Sequence, residues 1–103
     1  MARPSVEFHP DAIAEAKAAY DWYAKRNPSA ANAFMAALDD AVSKISGSPE
    51  RWPLHLSGTR KFLLRRFPYA VIYRLTDATI QIVAVAHGRR RPGYWRRRRV
   101  QDD

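Results

Sequence analysis

Cations and aromatic rings crowd into one short run, His87-Gly88-Arg89-Arg90-Arg91-Pro92-Gly93-Tyr94-Trp95. Planar guanidinium groups grip phosphates and carboxylates through paired N–H donors, and aromatic faces stack on unpaired bases. Gly88 and the Pro92-Gly93 pair form turns, so Arg89, Arg90 and Arg91 belong to a constrained loop suited to a polyanion. A second reading has Tyr94 and Trp95 packing back on the fold as a lid, with the arginines meeting an acidic partner protein. Upstream, Arg74 and one of Lys61 or Arg65 are the cations placed to join this loop, provided the open face of a sheet is the working face.

Familiar catalytic signatures are missing. The chain has no glycine-rich phosphate loop, no His-Glu-x-x-His and no Gly-x-Ser-x-Gly. His9, His55 and His87 are far apart, no carboxylate cluster joins them and there is no cysteine, so no metal, disulfide, thiol nucleophile or cofactor is expected. What remains is a metal-free site of cations, a tyrosine and a histidine. Such a site can promote attack of an RNA 2′-hydroxyl on its own phosphate, with cations stabilising the developing charge and another group moving protons.

The charge distribution agrees with a polyanionic partner. Of the net +8, residues 1–59 supply six Lys/Arg against seven Asp/Glu, whereas residues 60–101 hold twelve against Asp77 alone. Asymmetry of this kind points to nucleic acid, an acidic protein or an anionic surface. No stretch has the length and apolarity of a signal peptide or a membrane span, so the expectation is a cytoplasmic protein with no membrane partner.

The elements that must position these residues follow from the hydrophobic period. At 103 residues one domain is expected. Ser5-Val6-Glu7-Phe8 alternates as a strand and stops at Pro10. Ile13, Ala16, Tyr20 and Tyr23 then recur at helical spacing over residues 11–26, and Phe34, Leu38, Val42 and Ile45, widened by Ala31, Met35 and Ala41, do so over 28–46. Asn27-Pro28 separates the two helices, with Asn27 as N-cap and Pro28 in the first turn. Ala30, Ala33, Ala36 and Ala37 are expected to let the helices approach as a hairpin. Three strands follow, 60–66, 69–75 and 79–86, joined by links too short for parallel crossovers and therefore antiparallel. The last two are apolar on both faces and should be central, with the helices covering one face. The fold class is α+β: a strand, a helical hairpin and a three-stranded antiparallel meander, forming a domain over 5–95. Residues 96–103 are expected to be a disordered basic tail, since four consecutive arginines repel one another.

This order of elements, together with Phe67-Pro68-Tyr69-Ala70-Val71-Ile72-Tyr73-Arg74 and Ala84-Val85-Ala86 leading into the basic run, resembles the RelE/ParE superfamily of bacterial type II toxins, also associated with plasmid stabilisation. The resemblance implies growth arrest by the free protein and neutralisation by a cognate antitoxin. It also implies one of two targets: messenger RNA cut on the ribosome, as by RelE-like endoribonucleases, or DNA gyrase, inhibited without hydrolysis, as by ParE-like members. Residue by residue, Lys61 matches a catalytic lysine of the ribonucleases, Arg90 matches their arginine after the last strand, and Tyr94 lies near their terminal tyrosine in a different register. Where the ribonucleases carry an arginine and a second lysine, this chain has Ala70 and Leu63. Arg65 and Arg74 are the candidates to replace the missing charge.

Overall fold

A computed structural model describes residues 4–99. The chain runs as β1 (Ser5–Phe8), α1 (Pro10–Arg26), α2 (Pro28–Gly47), a 3-10 turn (Leu56–Gly58), β2 (Arg60–Leu63), β3 (Tyr69–Leu75) and β4 (Thr79–His87). Both long helices start on a proline in the first turn and a side-chain cap. Asn27 Oδ1 accepts from the Ser29 N–H at 2.9 Å, and His9 Nδ1 accepts from the Asp11 N–H at 2.9 Å. Histidine is an uncommon N-cap, and its ring nitrogen here takes the place of a hydroxyl or amide oxygen.

The four strands form one mixed sheet in the order β1-β4-β3-β2. β2, β3 and β4 make the expected antiparallel meander, while β1 adds to the outer edge of β4 in parallel, Ser5 opposite Thr79 and Phe8 opposite Ile82. The intervening helical hairpin is the crossover that a parallel pair needs. One register shift at Ile72/Tyr73 leaves Val83 without a partner and bends β4. The helices cover one face, where Phe34, Leu38, Ile45, Val71, Tyr73, Ile80, Ile82 and Val85 form the main core. Full burial of each large apolar side chain contributes about 1.5 to 3 kcal/mol.

Several local expectations need correcting. β2 ends at Leu63 rather than at residue 66, because the chain turns through Arg66, whose φ of 72° is left-handed. The buried stripe of α1 is Ala12, Ala16 and Ala19, and Ile13 is 55% exposed. Ala16 and Tyr23 of the expected stripe do face the core, while the small Ala12 and Ala19 take the buried places expected of Ile13 and Tyr20. In α2 Ala31, Phe34, Leu38, Ala41 and Ile45 of the expected stripe are buried and Met35 and Val42 are half-buried, but Ala33 and Ala36 face solvent instead of α1.

The largest difference lies after β4. The chain folds back through successive turns, with Arg90 N–H donating to His87 O at 3.0 Å, Tyr94 N–H to Arg91 O at 3.2 Å and Arg98 N–H to Trp95 O at 3.0 Å. Gly93 takes a φ of 81°, a left-handed value that glycine adopts without strain. This path lays Trp95 on the open face of the sheet, against Ala70, Ile72, Val83, Ala84 and Ala86. The expected basic tail therefore does not begin at Arg96: Arg98 is docked on the domain through Glu15, as described below. Residues 100–103 of that expected tail lie outside the described residues.

Candidate functional site

The open sheet face and the turn after β4 enclose a groove of about 280 Å³. Its floor is Ala70, Ile72 and Ala86, and its rim carries Lys61, His87, Arg90, Arg91 and Tyr94. β2 supplies Lys61, opposite Ile72, and the end of β4 supplies His87, opposite Tyr69. The His87 ring meets Tyr69 edge to face at 5.0 Å, and its Nδ1 accepts from the Arg89 N–H at 3.0 Å, which fixes both the ring and the start of the turn. His55, from the loop before β2, completes the rim and lies 5.9 Å from the Trp95 ring. Its burial, aided by the Lys61 ammonium, holds the imidazole below its ordinary pKa of 6.5.

The remaining sequence candidates do not meet there. Arg65 sits behind the β2–β3 link, beside Ala33, Ala36 and Ala37 of α2. Arg74 points its guanidinium at the backbone of the C-terminal segment, donating to Arg98 O at 3.1 Å and Arg96 O at 3.3 Å. Neither supplies the charge missing at Ala70, which is buried in the groove floor, or at Leu63, which is 67% exposed. Arg89 is exposed and outside the groove lining. Trp95 is only 2% exposed, so it closes the sheet as a lid and offers no free face for a base.

Glu15, one turn into α1, was not among the sequence candidates and organises the whole segment. Its Oε1 accepts from the Val85 N–H at 2.9 Å and from Arg98 Nη1 at 3.0 Å. Its Oε2 accepts from the Tyr94 hydroxyl at 2.7 Å and from Arg98 Nη2 at 2.9 Å. The Arg98 guanidinium also donates to Val83 O at 3.2 Å. The physical need is visible in the sheet: β1 stops opposite Ile82, so Val83 O and Val85 N–H on that edge of β4 have no strand to pair with. A carboxylate from α1 and a guanidinium from the C-terminal segment take the place of the missing strand.

Tyr94 is fixed as a consequence. Burial, and then the hydrogen bond to the Glu15 carboxylate, push its hydroxyl well above the ordinary tyrosine pKa. The Arg90 guanidinium lies over its ring at 3.8 Å, so the tyrosine in turn aims Arg90 along the groove. The groove can bind an anion through Lys61, Arg90 and Arg91, and it holds a tyrosine that gives up its proton only with difficulty.

The family model described as the ParE toxin of the type II toxin–antitoxin system parDE matches residues 6–92. Toxin ParE2 of Mycobacterium tuberculosis is 36% identical over 75 residues, spanning 72% of this chain and 71% of that protein, in each of two strains. A solved structure described as the chromosomal ParDE TA system from P. aeruginosa superposes with a TM-score of 0.73 at 21% identity, covering 82% of this chain and 96% of that one, and supports the fold. By its sequence over most of its length, and with a fold that agrees, the chain belongs to the ParE toxin family of type II toxin–antitoxin systems.

Proposed function

We propose that this protein is the growth-arresting toxin of a toxin–antitoxin pair, that a cognate antitoxin neutralises it, and that it acts in the cytoplasm on DNA gyrase by binding rather than by cutting RNA. The observation that carries the choice of target is the state of the groove. Of the groups a ribonuclease of the superfamily resemblance would use, Lys61 and Arg90 are present, Ala70 and Leu63 are apolar, and the Tyr94 hydroxyl is committed to Glu15. A tyrosine held protonated in this way is a poor base near neutral pH. A rigid cationic turn over an apolar floor suits binding to a macromolecule, and the reading needs no cofactor.

Expression of the chain alone in a bacterial host tests the toxin reading. Growth arrest with induction of the DNA-damage response, relieved by co-expression of the antitoxin, is the expected result. Normal growth with folded protein present would overturn it. New messenger ends at the ribosomal A site in a toeprinting experiment would instead move the target from gyrase to ribosome-bound RNA.

A further inference from the structure

A second groove, of about 420 Å³, lies on the α1 side of the same turn. Trp22 and Tyr23 line it from α1, and Tyr69, His87, Arg90 and Tyr94 line it from the end of the sheet. Trp22 is 52% exposed, an unusual position for the largest side chain, and the Arg26 guanidinium lies over its ring at 3.7 Å. Arg90 stacks on Tyr94 in the same manner at 3.8 Å. Glu15 is the one carboxylate among the lining residues, and its charge is matched by the paired bonds from Arg98. The groove is therefore aromatic and cationic. It shares Tyr69, His87, Arg90 and Tyr94 with the first groove, so the two adjoin at the turn, and Lys61 and Arg91 line the first.

We infer that this groove binds single-stranded nucleic acid, with an unpaired base stacking on the exposed Trp22 ring beside Arg26 and phosphates following Arg90, Arg91 and Lys61. Aromatic faces carry partial negative charge, so acidic side chains gain nothing from them, whereas every base has a face to stack. A duplex hides those faces and keeps its bases from half-buried rings. The inference goes beyond the toxin reading and does not rest on it, because it concerns the purified chain without gyrase or antitoxin.

The test is fluorescence anisotropy of a short labelled oligothymidylate, with an oligouridylate and a labelled duplex in parallel, against the full chain. Binding of either single strand in preference to duplex is expected, and the stronger of the two identifies DNA or RNA as the source. With three phosphate contacts, affinity should fall about 20-fold between about 50 and 200 mM salt. Trp22→Ala should weaken binding about five-fold or more, as loss of one stacked base does. Arg90→Ala should also weaken it, while Arg65→Ala, which removes a cation outside the groove, should leave it unchanged. Unlabelled oligomer should quench the tryptophan fluorescence of the unmodified chain, a readout independent of any variant's folding. No binding at low salt, equal binding of duplex, or equal losses for Arg65→Ala and Arg90→Ala would overturn the inference. Binding of a glutamate-rich peptide where the oligomers fail would replace the nucleic acid with an acidic protein partner.

Discussion

Glu15 shows how one side chain can decide the shape of a functional segment. Four donors from three residues, Val85 on β4 and Tyr94 and Arg98 in the segment after it, converge on its two oxygens. In Glu15→Ala the Val85 N–H is left without a partner, a loss of about 1 to 3 kcal/mol by itself. For a domain of this size that lowers Tm by about 5 to 20 °C, measurable by calorimetry. Glu15→Gln keeps an acceptor for Val85 but loses the charge that pairs with Arg98, and its Tm should fall between those of Glu15→Ala and the unmodified chain. His55 gives a second prediction at this scale. Its folded-state pKa is lowered by burial and then by Lys61, so the unfolded chain takes up the proton more readily. Stability is then fully present at higher pH and is lost as pH falls below about 6.5. Urea unfolding at about pH 7.5 and about pH 5.5 should show that loss, and His55→Gln should reduce it. An unchanged pH dependence in the variant would remove His55 from the account.

Among the elements, the segment after β4 is the least independent and the most consequential. It has no regular secondary structure, and it is held by Trp95 packed under it and Arg98 clamped beyond it. Trp95→Ala should cost about 3 to 5 kcal/mol, as for other large buried aromatics. Gly93→Ala places a Cβ at a left-handed φ and should cost about 1 to 2 kcal/mol. Both should raise hydrogen exchange across residues 88–98 before the helices are affected. The helices, the antiparallel meander and the Asn27 cap were legible in the sequence, because period, Pro-Asn punctuation and short links are local signals. The clamp was not. Glu15 and Arg98 are 83 residues apart, and a run of four arginines reads as self-repelling until one distant carboxylate is placed beside it. The α1 stripe misled for a related reason: alanine adds little to an apolar pattern, although its small size is what lets α1 sit close to β4. Trp95 could be read as platform or lid, and only its contacts with Ala70, Ile72 and Ala86 decide for the lid.

At the scale of the whole molecule, the charge asymmetry seen in the sequence becomes a directional surface. The acidic residues of the first half lie largely on the helices, and the cations that face the groove come from β2 and from the turn after β4. Leu63, 67% exposed, adds apolar area to the groove beside that cationic turn. Burial and the Glu15 carboxylate keep the Tyr94 hydroxyl in this surface protonated. The central claim is that the protein stops growth by occupying its target without cutting RNA. The most direct measurement is a DNA supercoiling assay with purified gyrase and the purified chain. The account predicts that supercoiling is lost as the chain is added, that Arg90→Ala restores much of it, and that messenger on ribosomes treated with the same chain stays intact. Full supercoiling activity at saturating protein, together with cleaved messenger, would contradict it.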